Sequence, residues 1–215
     1  MSPATPAPNP HLEIEPVLAG APLDHARLAG VLIHGRDQDE QVMLDVVARL
    51  QLADVAYVLP VAAGRSWYPG RYFDPLEANQ PEVSWSLQAY QAAIAVATAA
   101  GLDDGQIVLA GFSQGGCLLA ELAARTARRF AGVAVMTGTL LGPPGQEAKP
   151  GRVDGLPMFF SGSQNDDWVD VARVRSTARA FQAAGARVTL DIDDDPEHWI
   201  NDRAVTGMRA LFDRL

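Results

Sequence analysis

Cysteine and lysine are almost absent from this chain, and each scarcity closes off a chemistry. Cys117 is the only cysteine among 215 residues. It cannot form an internal disulfide, and no thiolate-rich zinc site can be built around it. Lys149 is the only lysine. It sits in a Pro/Gly-rich stretch and makes a poor lysine nucleophile, so amine-based covalent catalysis has almost nothing to draw on. Positive charge is short overall: the net charge is −9 and the pI is near 4.8, against nucleic acid as a partner. Long apolar runs are missing too. The longest, from Ala92 to Ala100, is interrupted by Thr98 and falls far short of the ~20 residues a membrane span requires. Met1–Pro10 has neither a basic region nor an apolar core of the kind a secretory signal needs. It reads as a flexible Pro/Ala-rich tail ahead of one domain over residues 11–215, and a cytoplasmic location is expected.

What remains is a globular composition, with hydrophobic residues at 48% and charged residues at 20%. A chain of this length buries roughly 70% of its unfolded surface on folding and needs no staple. Strand-like apolar runs alternate with helix-like stretches. Strands are expected over Leu12–Leu18, Leu28–Ile33, Val55–Val61, Gln106–Ala110, Phe130–Met136, Met158–Ser161 and Arg187–Ile192. Helices are expected over Val42–Leu50, Ser84–Ala100 (capped by Ser84), Gln114–Ala127, Val171–Ala184 and Asp202–Leu215. Arg65–Pro81 and Gly142–Gly155 read as long loops. Near-continuous apolar strands alternating with helices predict an α/β fold with a mostly parallel sheet, flanked by helices on both faces. In such sheets chemistry gathers in the loops at the carboxyl ends of the strands.

One of those loops carries a motif. Gly111-Phe112-Ser113-Gln114-Gly115 follows the apolar run Ile107–Ala110 and opens a helical stretch. This G-x-S-x-G pattern, between strand and helix, marks a sharp turn that exposes a serine hydroxyl as a nucleophile. A serine needs a base within hydrogen-bond reach, and the base needs an orienting acid. On such a sheet the chain order is Ser, Asp/Glu, His. His198 is the only histidine after Ser113; His11, His25 and His34 all precede it. Asp166 and Asp167 both follow the strand Met158–Ser161 and are candidates for the acid. Asp193, Asp194 and Asp195 read as a solvated acidic turn, and no spaced ligand set points to a metal. The helix-initial N–H of Gln114 is a natural oxyanion donor. A second donor is expected from the loop after an earlier strand, where the Arg36 N–H follows His34-Gly35. His34 itself reads as a residue that holds this loop.

Taken together, His34-Gly35-Arg36, Trp67-Tyr68-Pro69, Gly111-Phe112-Ser113-Gln114-Gly115-Gly116, the Asp166–Val169 spacing and His198 resemble the phospholipase/carboxylesterase family of α/β-hydrolases. This is a branch with little lid, related to the acyl-protein thioesterases. The resemblance runs over roughly Leu12–Leu215. It implies an α/β-hydrolase fold, a Ser113/Asp166/His198 triad, backbone donors at Arg36 and Gln114, and ester or thioester hydrolysis without a cofactor. The family's valine three residues after its acid falls on Val169, which selects Asp166 over Asp167. Asp37 stands where relatives often have glycine, and Asp167-Trp168 stands where proline commonly follows the acid.

The substrate expected is a small-molecule ester with an apolar acyl or aryl group. Trp67, Tyr68, Phe73, Leu140, Trp168 and Trp199 are the candidate pocket-lining residues, and exposed loop aromatics would allow a homodimer. Cys117, four residues after Ser113, reads as a buried core residue. An acyl-thioesterase and a non-catalytic ligand-binding homologue are the alternative functions, because fold alone does not fix function.

Overall fold

The apolar runs line up side by side in one sheet. The computed structural model describes residues 8–214. Its strands are β1 (Val17–Gly20), β2 (Leu28–Ile33), β3 (Val55–Leu59), β4 (Ile107–Phe112), β5 (Gly132–Met136), β6 (Pro157–Ser163) and β7 (Arg187–Asp193). Their spatial order is β1-β3-β2-β4-β5-β6-β7. Only β1 runs antiparallel, along β3; all other neighbours are parallel.

Strand periodicity divides the core into two layers. Ala29, Val31 and Ile33 of β2 and Ile107 and Leu109 of β4 face one way, onto α2 (Glu82–Ala99), α3 (Gln114–Arg125) and α4 (Val171–Ala183). Leu28, Leu32, Val108, Ala110 and Phe112 face the other way, onto α1 (Glu40–Leu50) and α5 (Asp202–Phe212). Successive strand side chains point to opposite faces, so a strand covered on both sides must be apolar throughout. This is why β2 and β4 carry no polar residue and lie near the middle of the sheet. This architecture is the α/β-hydrolase fold.

Three local expectations need correction. Leu12–Leu18 is not a strand. Asn9 accepts a hydrogen bond from the His11 N–H and starts a short 3-10 turn over Pro10–Glu13, and pairing begins only at Val17. Asn9 Nδ2 also donates to the Trp85 carbonyl at 2.9 Å, so the expected tail reaches the fold by Asn9; residues 1–7 of it lie outside the described residues. Ser84 does not cap α2. The helix starts two residues earlier, and the Ser84 hydroxyl, inside the first turn, donates to Gln80 Oε1. Residues 65–81 also contain a 3-10 turn at Leu76–Asn79. Among the described residues no helix is long and apolar enough to cross a membrane.

Candidate active site

The turn from β4 into α3 is shaped by what its glycines leave out. A Cβ on Gly111 would lie 2.5 Å from the Gly115 carbonyl oxygen, and one on Gly115 would lie 2.5 Å from the His34 oxygen. Helix, strand and the end of β2 therefore meet backbone to backbone. Between the glycines, Ser113 adopts φ 53° and ψ −117°, a conformation a non-glycine residue holds only at a cost of about 1–3 kcal/mol. Its N–H donates to the Met136 carbonyl at 2.9 Å, and its carbonyl accepts from the Cys117 N–H at 2.9 Å.

Ser113 Oγ stands 2.8 Å from His198 Nε2. His198 Nδ1 stands 2.7 Å from Asp166 Oδ2. The other Asp166 oxygen accepts the N–H groups of Trp168 at 2.7 Å and Val169 at 3.0 Å. The carboxylate side chain is only 2% exposed. Burial pushes its pKa up, but hydrogen bonds from His198 and from the Val169 and Trp168 N–H groups outweigh that and hold it below the ordinary carboxylate value. The rings of Phe112 and Trp168 lie 5.0 and 6.0 Å from the imidazole. Loops after β4, β6 and β7 thus bring one hydroxyl, one imidazole and one carboxylate into a single hydrogen-bonded line. Asp167 is exposed and lies outside it. Asp193 and Asp195 are not idle surface charge. Asp193 accepts from the Asp195 N–H and Asn201 Nδ2, and Asp195 from the Glu197 N–H and Trp199 Nε1, which shapes the turn that carries His198.

The Gln114 N–H is the first of α3, where helix N–H groups lack an intrahelical partner, and the Arg36 N–H lies on the loop after β2. Neither donates a turn or loop hydrogen bond among the described residues. Their side chains are engaged elsewhere. Gln114 Oε1 accepts the Trp67 N–H at 2.9 Å and its Nε2 donates to the Tyr68 carbonyl at 2.6 Å. The Arg36 guanidinium donates to the carbonyls of Pro69, at 2.9 Å, and Gly70. His34 is fully buried. Its Nδ1 meets the Gly35 carbonyl at 2.7 Å and its Nε2 accepts the Ala62 N–H at 3.1 Å, so this ring spans two loops. Burial lowers its pKa and favours the neutral form that this pattern needs.

Over the serine opens a cavity of about 280 Å³, lined beside Ser113 and His198 by Arg36, Asp37, Tyr68, Arg71, Tyr72, Cys117, Trp168 and Val169, among others. Of the expected lining residues, Tyr68 and Trp168 stand here. Trp67 does not: it is fully buried below the loop, between His11 and His34, with its Nε1 donating to the His34 carbonyl at 2.9 Å. Phe73 packs edge-on to Tyr72 and is otherwise exposed. Leu140 is in the core, its N–H bonded to Thr177. Trp199 stacks on Arg49, away from the cavity. Arg71 and Val169 also line the cavity with no sequence signal to mark them, and so does Tyr72, one of the loop aromatics. No local signal separates Tyr72 from Phe73. Cys117 had one: a residue one turn after Ser113 shares its helix face. It is buried, as expected, and also touches the cavity. Burial pushes its thiol up to about 11, so it is not a thiolate nucleophile. Among the described residues no group of three His, Cys, Asp or Glu side chains is placed to hold a metal ion.

A family model described as Phospholipase/Carboxylesterase matches residues 21–212. The solved phospholipase/carboxylesterase from Dyadobacter fermentans is 30% identical, with a TM-score of 0.84 over 91% of this chain and 94% of that one. Esterase PE8 is 19% identical, with a TM-score of 0.78 over 93% and 98%. The Bacillus cereus carboxylesterase is 17% identical, with a TM-score of 0.73 over 93% of each chain. The latter two share the fold. No curated protein matches the sequence.

Proposed function

The chain belongs to the phospholipase/carboxylesterase family, and from that premise we propose that it hydrolyses small carboxylic esters through a serine acyl-enzyme. The observation that carries this reading is the unbroken line Ser113 Oγ, His198 Nε2, His198 Nδ1, Asp166 Oδ2. Ser113 attacks the ester carbonyl as His198 Nε2 takes its proton. Asp166, kept ionised by its hydrogen bonds, accepts from Nδ1–H, fixes the tautomer and stabilises the imidazolium that forms. The oxyanion is received by the N–H groups of Arg36 and Gln114, which have no other partner among the described residues; removing one such donor typically costs roughly 10²–10³ in kcat. His198 then returns the proton to the leaving alkoxide. A water deprotonated by the same nitrogen releases the carboxylic acid and restores Ser113. The cavity is small, with Tyr68, Tyr72 and Trp168 among its walls, which favours compact acyl or aryl groups over long chains.

The test is Ser113→Ala, assayed with p-nitrophenyl butyrate and with a fluorophosphonate probe. The expected result is loss of covalent labelling and a fall in kcat of at least ~10³-fold. Labelling and turnover at the wild-type level in that variant would overturn the reading. A matched butyryl thioester in the same assay measures the preference between ester and thioester.

A further inference from the structure

The cavity above Ser113 is not uniformly apolar. Three charged residues line it, Arg36, Asp37 and Arg71. Arg36 is already spent: its guanidinium serves the Pro69 and Gly70 carbonyls and lies over the Tyr68 ring. Arg71 is different. Its backbone N–H is bound to Asp74 Oδ2, but its guanidinium forms no ion pair or hydrogen bond within the described residues. It lies on the face of Trp168, 5.4 Å from the ring centroid. Trp168 is in turn fixed, with its N–H on Asp166 Oδ1 and its ring beside His198. The guanidinium is thus held at the mouth of the cavity, on the His198 side, with its donor edges unused. A cation stacked on an aromatic face keeps its in-plane N–H groups available for a planar anion.

The setting makes this conspicuous. The molecule carries a net charge of −9, and several of its surface arginines are matched to carboxylates, as in Arg27–Asp54, Arg65–Asp39 and Arg203–Asp191. Among the described residues Arg129, Arg175, Arg179 and Arg187 are not, and neither is Arg71, which alone of these five lines the cavity. On the cavity wall the balance is reversed, with two guanidinium groups against the one carboxylate of Asp37. Asp166 lies behind His198 and is 2% exposed. An overall acidic surface repels anions at long range, so an unmatched arginine beside the serine acts at short range, on a group already in the cavity.

We propose that the ester this protein hydrolyses carries a carboxylate, and that the Arg71 guanidinium binds it at the cavity mouth. The inference rests on the serine-hydrolase reading above and names its substrate class. The carboxylate fits the paired N–H geometry of the guanidinium, and the ester carbonyl then extends inward to Ser113. Asp37, on the same lining, opposes a second negative charge and restricts the anion to the Arg71 side.

Two matched pairs test it. On the acyl side, the p-nitrophenyl monoester of succinate is compared with its methyl diester. On the alcohol side, p-butyryloxybenzoate is compared with its methyl ester. Each is assayed with wild type, Arg71→Gln, Arg71→Lys and Asp37→Asn. The readout is the anionic-to-neutral ratio of kcat/KM. Wild type is expected to favour the anion in one pair, and that pair tells which side of the ester bears the charge. Arg71→Gln should lower the ratio about tenfold, chiefly through KM, the scale of one partly exposed charge-assisted contact. Arg71→Lys should recover part of it, Asp37→Asn should raise it, and about 0.5 M salt should weaken it. No preference in either pair, or a ratio unmoved by Arg71→Gln, overturns the inference. Ser113→Ala separates the two failures. If it abolishes hydrolysis while the ratios stay flat, only the carboxylate fails; if it turns over both esters at the wild-type rate, the hydrolase reading fails first.

Discussion

The turn after β4 and the loop after β3 face each other across the cavity, yet they are held by opposite means. The turn is held by close backbone approach. Gly111, Gly115 and the end of β2 meet where no Cβ fits, and no side chain caps the helix at Ser113. The loop is held by polar tethers from elsewhere in the chain. His11 and His34 accept the N–H groups of Ala63 and Ala62. Gln114 takes Trp67 and Tyr68, Ser86 donates to the Trp67 carbonyl at 2.6 Å, and Asn79 accepts the Gly70 N–H at 2.7 Å. A sterically held turn tolerates almost no added volume. A tethered loop tolerates volume but fails when a donor, an acceptor or a protonation state changes.

The largest effect should follow from adding a single carbon to the turn. In Gly115→Ala the new Cβ would meet the Ile33 and His34 carbonyl oxygens at 2.6 and 2.5 Å, which are backbone atoms with nowhere to go. Overpacking of this kind costs about 1–3 kcal/mol of stability. It also shifts Ser113 and the Arg36 loop apart, and a displacement near 1 Å at reacting groups can cost about 10²-fold in rate. Urea unfolding and kcat/KM on p-nitrophenyl butyrate measure both. A variant with wild-type stability and rate would show that the turn is not held by exclusion.

The tethers should give smaller and separable effects. Gln114→Ala leaves the Trp67 N–H without its partner and the Tyr68 carbonyl with the Ser66 hydroxyl alone, at about 1–3 kcal/mol for the buried donor left unsatisfied. A loosened loop is expected to lower kcat/KM about tenfold while Ser113 still reacts with a fluorophosphonate, for the turn itself is intact. Loss of labelling would place the damage in the turn instead. Protonation tests the two histidine tethers. Burial lowers the pKa of both His11 and His34, so the folded chain resists protons that the unfolded chain accepts near pH 6.5. The unfolded state then binds more protons, and stability falls as pH drops below about 6.5, by up to about 1.4 kcal/mol per pH unit for each histidine. His34→Gln removes one of these groups and should flatten the slope of urea stability between pH 7.5 and 5.5; parallel slopes would remove His34 as a source.

The same contrast explains what could be read from the sequence. The turn is local: five consecutive residues, from the end of a strand to the start of a helix, specify its glycines and its serine. The alternation of apolar runs gave the sheet in the same way, and β2 falls on the residues expected for it. His198 is singled out by elimination, as the sole histidine after Ser113. The loop is nonlocal. Trp67 is buried because His11, His34 and Ser86 surround it, and none of these lies near it in the chain. The six residues from Trp67 to Tyr72 hold three aromatics that read alike, and contacts made 19 to 56 residues away bury Trp67 while Tyr68 and Tyr72 line the cavity. A contact of the same kind, Asn9 capping Pro10–Glu13 and reaching to Trp85, makes a 3-10 turn of the start of the expected first strand.

Two tryptophans put the smallest expected effects side by side. Trp168 and Trp199 both adjoin a member of the hydrogen-bonded line, and both are about half exposed, at 57% and 47%. Only Trp168 lines the cavity, where its ring faces His198 and carries Arg71. Trp199 lies over Arg49, with its Nε1 on Asp195. Trp168→Ala removes a cavity wall and should lower kcat/KM for a neutral butyrate ester about fivefold, near 1 kcal/mol of contact with the bound acyl group. Trp199→Ala removes one exposed stacking contact and one hydrogen bond, and should stay within about twofold in rate and about 0.5–1 kcal/mol in stability. If Trp199→Ala proved the more damaging in kcat, the Asp195 turn that carries His198 would matter more to the site than the wall that faces it, and the tethered side of the molecule would include that turn.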